Sequence, residues 1–454
     1  MNSRRLFCAL ASAAALLTCE LPAAANAPDV DATPIDPEIR AMVDAVSPTQ
    51  LRAFDTGLLA FGTRNTFSER LHDPKRGVLA ARNWIKAQFE QIAATSNGRL
   101  RVSFDDYIQP KTDRTPRAVL ISSVIATLKG DDPTGRTYVL SSHYDSRNSN
   151  GDDAVKDAPG ADDNGSGVSC VLEAARIMAS HRFRATIIFA AYDGEEQGLF
   201  GSAHHAKRLH DSGARIEGNL NNDIIGASVG HDAEQTPADV RLFSEALSTS
   251  ANPQRINLIG GENDSPSREL ARYVKTVSEA YVPPMHADLI YRSDRFLRGG
   301  DQQSFAAQGF AAVRFVEVHE NYDHQHQDVR VENGIQYGDL QRYMDFDYLA
   351  RVTKMNVAAL ATLALGPATP QHVEMVNKQL GYATTLRWSI VPNATSYEIV
   401  WRDTTTPLWQ GVMDAGQRTT ATVKMGKDDS IFGVRAVDAQ GHRTPAVFPV
   451  PVKE

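Results

Sequence analysis

Four segments of the chain end an apolar stretch in acidic residues or histidine. Tyr138–Ser142 runs into His143-Tyr144-Asp145, Ile187–Tyr192 into Asp193-Gly194-Glu195-Glu196, Asn219–Asn222 into Asp223, and Val313–Val318 into the stretch from His319 to His326. Between the first two lies Gly160-Ala161-Asp162-Asp163-Asn164-Gly165-Ser166-Gly167, directly before a helical pattern. Carboxylates crowded into one crevice repel each other, and the usual relief is a raised pKa or a bound cation. With histidines in the set, a divalent metal is the better reading, and carboxylates can bridge two ions about 3.5–4 Å apart. His143, Asp163, Glu196, Asp223 and His326 would supply the ligands, and imidazole with carboxylate favours zinc over magnesium or calcium. Each piece alone has a plainer account. His143 with Asp145 reads as surface chemistry, Glu195-Glu196 as a solvated turn, and Asp162-Asp163-Asn164 as a helix N-cap. Their joint occurrence at successive strand ends argues against those accounts.

Such residues meet only if the elements before them lie side by side. Residues 37–92 are helical in period, with Trp84, Ile85, Phe89 and Ile92 on one face of a helix over Gly77–Ile92. Strands are predicted at Arg101–Ile108, Ala118–Leu128, Tyr138–Ser142, Thr186–Ala191, Asn219–Ile225 and Ala312–Val318, with helices after Gly167 and near Ser202 between them. The alternation predicts an α/β fold, a mixed and largely parallel sheet flanked by helices, in which ligands collect outside the carboxyl ends of the strands. A last helix is predicted over Asp345–Leu365, stopped by Gly366-Pro367-Ala368-Thr369-Pro370. Beyond it the period changes to two: Leu386, Trp388 and Ile390; Tyr397, Ile399 and Trp401; Phe432, Val434 and Ala436. This predicts a small all-β sandwich at the C terminus. No element is assigned over Val229–Gly299, a candidate pocket wall.

Composition narrows the partners. The chain of 454 residues has 47 Lys and Arg against 55 Asp and Glu, a formal charge of −8, and no local basic patch is visible along it. Nucleic acid is therefore excluded as an expected partner. Arg4 and Arg5, an apolar run from Leu6 to Leu17 and small residues through Ala27 have the order of a secretory leader over residues 1–27. The run is short of the about 20 residues a membrane span needs. The expectation is an exported protein, periplasmic or secreted, with lipoprotein anchoring at Cys19 as a minor option. Leader removal would leave Cys170 as the one thiol, which excludes an intrachain disulfide and thiolate metal sites. Its apolar helical surroundings predict a small buried hydrophobe there.

The chain over roughly residues 50–365 resembles the co-catalytic zinc aminopeptidases of clan MH, family M28. The resemblance rests on Ser142-His143-Tyr144-Asp145, on Gly160 through Gly167, on Asp193-Gly194-Glu195-Glu196-Gln197-Gly198-Leu199-Phe200-Gly201-Ser202 and on Asn222-Asp223-Ile224-Ile225-Gly226. It implies two zinc ions, His143 and Asp223 binding one each with Glu196 and His326 as partners and Asp163 bridging. It also implies Glu195 as the general base and Asp145 as the acceptor that orients His143. His324 is the alternate to His326. The chain departs from the family pattern at Gln302, where His is usual, and at Ala311, where Pro is usual, which predicts an altered pocket shape. Residues 36–366 would form the peptidase domain. Residues 367–454 resemble a fibronectin type III module through Leu386-Arg387-Trp388, Tyr397 through Arg402 and Phe432 through Asp438. Trp409 reads first as a packed aromatic at a strand edge, with contact to a polymer or protein as the alternative.

The expected reaction is removal of N-terminal residues from peptides with free N termini: metal-bound hydroxide attacks the carbonyl and Glu195 moves the proton. A glutaminyl cyclase or a carboxypeptidase on the same scaffold is one alternative. A non-catalytic binding protein working through its sandwich is another, disfavoured because all five ligand positions are filled.

Overall fold

Eight strands form one mixed sheet in the computed structural model, which describes residues 30, 32–247, 256, 261, 263–377 and 381–453. The leader expected over residues 1–27 lies outside the described residues. The strands are β1 (Leu100–Gln109), β2 (Val119–Leu128), β3 (Thr137–His143), β4 (Thr186–Tyr192), β5 (Ile216–Asn222), β6 (Asp239–Phe243), β7 (His286–Ile290) and β8 (Ala312–Glu317), in the spatial order β1-β2-β4-β3-β5-β8-β6-β7. Neighbours β4, β3, β5 and β8 run parallel, so their carboxyl ends open on one edge of the molecule. The outer pairs β1–β2, β2–β4 and β6–β8 are antiparallel.

The central strands read as near-continuous apolar runs because both faces of the sheet are covered. Val124, Leu140, Ile187, Phe189 and Leu220 face one core; Ile125, Val139, Ile188 and Ala190 face another. Each Val, Leu, Ile or Phe among them, once fully buried, contributes about 1.5–3 kcal/mol of transfer free energy. The first core is closed by α1 (Pro37–Asp44), α2 (Pro48–Leu59), α3 (Val78–Ala93) and α4 (Gly167–Met178), the second by α6 (Phe200–Asp211), which follows the short α5 (Glu195–Gly198). The remaining helices are α7 (Pro266–Tyr281) in the first core, α8 (Gln302–Ala307) in the second, and α9 (Phe346–Leu365). Cys170 of α4 is fully buried, and burial pushes its thiol up to about 12.

Local signals set the helix starts. Asp36 accepts from the Glu38 and Ile39 amides ahead of Pro37, Ser47 caps α2 ahead of Pro48, and Asp345 accepts from the Asp347 and Tyr348 amides of α9. Helix α9 is buried almost all round, which explains its apolar composition. Among the described residues no helix is long and apolar enough to cross a membrane.

Elements without a counterpart in the sequence analysis are β6, β7 and α7, all within residues 229–299, and the short α5 and α8. The expected strand over Asn219–Ile225 lies earlier, ending at Asn222, so Asp223 stands just past the strand.

A short hairpin of β9 (Arg330–Glu332) and β10 (Ile335–Tyr337) follows β8, and beyond Gly366 two small sheets enclose a separate core of Leu386, Trp388, Tyr397, Ile399, Phe432 and Val434. Their strands are β11 (Glu374–Val376), β12 (Thr384–Arg387), β13 (Ser396–Asp403), β14 (Gly411–Gly416), β15 (Thr420–Val423), β16 (Ser430–Val437) and β17 (Val450–Val452). This unit is joined to α7 by buried charge. Arg272 pairs with Asp264 and Glu269, each at 2.8 Å, Arg402 of β13 reaches Asp264, and the Ala446 amide donates to Glu269 at 2.7 Å. Trp409 is 6% exposed and lies beneath Arg272 in this junction, in the packed role and not as an exposed contact.

Candidate metal centre

The carboxyl ends of β3, β4 and β5 deliver four of the predicted side chains to one point. His143 closes β3, Glu195 and Glu196 open α5 just after β4, and Asp223 follows β5. Asp163 arrives on the wide turn Ala161–Ser166 that enters α4, and His326 on the loop after β8. Two groups result: His143, Glu195 and Asp223; and Asp163, Glu196 and His326. Within each, the candidate ligand atoms lie within 4.8 Å of one another.

Asp163 lies between the two histidines. Its Oδ1 is 3.2 Å from His143 Nε2 and its Oδ2 is 2.9 Å from His326 Nε2. His143 Nε2 lies 3.4 Å from Asp223 Oδ1, and His326 Nε2 lies 2.9 Å from Glu196 Oε1. The side chains thus group differently from the expected pairing, which gave His143 and Asp223 a zinc each: His143 sits with Asp223, and Glu196 with His326. The reason is strand order, since β3 pairs directly with β5. His324 does not reach the cluster. Its ring stacks on Tyr343 at 3.6 Å between centroids, and burial lowers its pKa to about 4.

Asp145 is fully buried beside His143, but its carboxylate is engaged mainly elsewhere. Its two oxygens accept the backbone amides of Glu195 and Glu196 at 3.2 and 3.1 Å, which fixes the α5 turn. His143 Nδ1 meets the backbone carbonyl of Asp145 at 3.1 Å, closer than its carboxylate at 3.5 Å. Asp145 therefore braces both the imidazole and the paired glutamates, a wider part than orienting His143 alone.

Electrostatics in the cluster follow from crowding. Burial pushes the Glu195 carboxyl well above the usual range, and Asp223 and Glu196 push the same way against the pull of His143. Burial alone would depress His143, yet Glu195 and Asp223 hold it well above its ordinary value. Asp163 would be raised by burial, but His143 and His326 hold it well below the carboxylate range. Asp301 is fully buried nearby, and burial raises it to about 7 against the opposing pull of His143 and Ser202. Surplus buried acid around two imidazoles is a donor set suited to divalent metal, and hard oxygen plus imidazole nitrogen suits zinc.

Several supporting residues escaped the sequence reading. Arg64, wholly buried, donates to the carbonyls of Tyr144, Pro159 and Gly160 and so clasps the loops that carry His143 and Asp163. The Asp339 carboxylate accepts the Asp162 and Asp163 amides, and Gln325 donates to Asp163 Oδ2 at 2.9 Å. Arg314 of β8 lies 2.9 Å from Asp223 Oδ2 and 2.8 Å from Asp294. Of these, only Gln325, flanked by His324 and His326, carried a local signal. Gly160 has φ +57°, and a Cβ there would lie 2.5 Å from the Asp163 carbonyl oxygen, so this turn requires glycine. Gln302 is buried and donates to Ser293 O at 3.0 Å and Asp294 at 2.8 Å. It ties down the loop that carries Arg295 and Arg298 at the cleft wall.

The family described as Peptidase family M28 matches residues 123–347. A protein named probable zinc metalloprotease from Leptosphaeria maculans is 45% identical over 421 residues, covering 91% of this chain and 97% of that one. Another of that name from Pyrenophora tritici-repentis is 43% identical over 427 residues, covering 92% and 88%. Among solved structures, the LapA aminopeptidase of Legionella pneumophila superposes with a TM-score of 0.51 at 19% identity, covering 72% of this chain and 75% of that one. That identity speaks for the fold alone.

Proposed function

Because the chain belongs to peptidase family M28 and is a zinc metalloprotease by kinship, we propose that it is an exported di-zinc aminopeptidase acting on peptides with free N termini. The observation that carries this reading is the placement of Asp163 between two ligand groups, with Glu195 beside one of them. His143 and Asp223 would hold one zinc, Glu196 and His326 the other, and Asp163 would bridge. When bound, the two ions would supply Lewis acidity toward a water and a peptide carbonyl.

The chain's own residues do the rest. Glu195, raised by burial, accepts a proton from the attacking water and passes it to the leaving nitrogen. Asp145 holds the Glu195 and Glu196 amides, so the base and its neighbouring ligand move as one unit. Cleft carboxylates such as Glu195 and Asp223 would suit the ammonium of a free N terminus, and an acetylated N terminus would leave them unpaired. The aminopeptidase likeness of the fold supports the same assignment. Residues 36–366 form the peptidase part in this reading and residues 367–454 a fibronectin type III-like module, with residues 1–27 removed on export.

The test is mass spectrometry of products from the zinc-loaded protein with matched peptides carrying free or acetylated N termini, beside a chelated sample and a Glu195→Gln variant. Stepwise loss of single residues from free N termini, absent in both controls, is the expected result. Cleavage of the acetylated peptides, or of the C-terminal residue first, would overturn it.

A further inference from the structure

The cleft over the metal cluster encloses about 480 Å³, and its walls are built mainly from charged side chains. Arg114, Arg147, Arg295, Arg298 and Arg314 all line it. Its acids are Asp163, Glu195, Glu196 and Asp223, every one of them in the metal cluster. Large apolar side chains are few there, Leu199, Ile224 and Leu297, and none of the lining residues is aromatic. The sequence reading found no basic patch in a chain of net charge −8. The fold makes one, drawing arginines from four separate segments.

These guanidiniums are short of partners. Arg147 donates only to the carbonyls of Asn148 and Ser149, at 3.2 and 3.4 Å, and Arg114 only to those of Gln197 and Glu196; neither meets a carboxylate among the described residues. Arg298 uses Nη1 alone, toward Glu320 and Gln325, and its side chain is 30% exposed. Glu320 is shared by Arg241, Arg295 and Arg298, while Asp294 is shared by Arg295 and Arg314. Four guanidiniums thus divide two carboxylates outside the metal cluster. With Asp163, Glu196 and Asp223 placed as zinc ligands and Glu195 as the base, the wall keeps a surplus of positive charge in a recess where such charge is poorly screened. Arginine's planar fork suits a carboxylate in two-point contact.

Resting on the aminopeptidase reading above, we infer that the Arg147–Arg298 wall of the cleft selects substrates bearing a carboxylate close to the scissile bond. That carboxylate is either the acidic side chain of the first residue or the free C terminus of a dipeptide. A charge-assisted contact of this kind contributes about tenfold to hundredfold in affinity. Substrates beginning with Lys or Arg are disfavoured by the same wall.

The experiment measures binding in the zinc-loaded Glu195→Gln protein, so that no turnover intervenes, and kcat/KM in the unaltered protein. The probes are Glu-Gly-amide, Gln-Gly-amide, Lys-Gly-amide, Leu-Gly-amide and free Leu-Gly. At low salt, Glu-Gly-amide over Gln-Gly-amide, or free Leu-Gly over Leu-Gly-amide, is expected to bind at least tenfold tighter; the first assigns the side chain and the second the C terminus. The ratio should shrink toward one at high salt, and in an Arg147→Gln, Arg298→Gln double variant. The salt series on unaltered arginines keeps the test valid if the variant misfolds. Equal affinity across both pairs, or tightest binding of Leu-Gly-amide, overturns the inference. Rapid cleavage of Leu-first amides without acidic preference would sink the inference and keep the aminopeptidase. Selective binding of acidic probes with no peptide cleaved would sink the aminopeptidase and keep the wall.

Discussion

The metal cluster at the ends of β3, β4 and β5 and the junction between α7 and the C-terminal sheets both bury groups of acidic and cationic side chains, and they balance charge in opposite ways. At the junction, Arg272 and Arg402 face Asp264 and Glu269, two guanidiniums for two carboxylates, with amide donors completing the shell. Burial disfavours the Arg272 cation, but Glu269 and Asp264 hold its pKa above the ordinary value. At the cluster, Asp163, Glu195, Glu196 and Asp223 face two imidazoles, with Asp145 and Asp301 buried close by. Guanidiniums that satisfy their acids make a rigid joint that needs nothing more. A surplus of acid makes a site that needs a cation, and that surplus separates a binding centre from a structural ion pair.

That contrast can be broken from either side. The largest effect is expected from removing the bridge. Asp163→Asn should take the zinc content from the proposed two ions per chain toward none and abolish peptidase activity, as chelation should in the unaltered protein, whereas a variant retaining one tightly held ion would refute the bridging role; metal analysis decides. Glu195→Gln should cut kcat by about 10²–10⁴-fold with the zinc content intact, because it removes a proton carrier and leaves the ligands in place. Loss of zinc in that variant would make Glu195 a ligand.

At the junction, Arg272→Ala strands Asp264 and Glu269 in a buried setting and should cost about 3–5 kcal/mol in denaturant unfolding, with zinc content unchanged. A loss below about 1 kcal/mol would show that water relieves those acids. The smallest effect concerns His442, which lies 3.2 Å from Asp438 and 3.0 Å from Asp36, the cap of α1. Burial would lower its pKa, but Asp438 and then Asp36 raise it above 6.5 in the folded state. Its stabilising contribution is therefore complete below about pH 6.5 and is lost as pH rises through the folded value. Asp36→Ala should remove about 1 kcal/mol of capping and flatten the Tm-against-pH curve in that window. An unchanged curve would show that His442 does not couple the two parts.

Much of the architecture was legible because it is written in local patterns. The strands β1 to β4 and β8 lie within about two residues of their apolar runs, and Asp345 and Ser47 mark helix starts by their type. The segment 229–299 was not legible. β6, β7 and α7 mix charged residues through their length, and α7 carries Arg272 and Glu269 buried, which a hydrophobic period reads as exposed. Arg272 finds Asp264 and Glu269 close by in sequence, but the shells of those two acids are completed by Arg402 and the Ala446 amide, more than a hundred residues away.

By itself the sequence determined which residue types stand at the strand ends and therefore that acids and imidazoles would gather at one crevice, since in an alternating α/β pattern ligands collect outside the carboxyl ends of the strands. Tertiary structure alone decided how they group. Adjacency of β3 and β5 puts His143 with Asp223, the loop after β8 sends His326 and not His324 to Glu196, and Arg64 and Asp339 arrive from opposite ends of the peptidase region to hold the loops. It also decided the cationic wall, for no stretch of the chain is basic, and Arg114, Arg147, Arg295 and Arg298 become neighbours only in space. The physical reason is common to all of these: charge acts through distance in space, and a chain fixes its side-chain types in order but sets the distances between them only by folding.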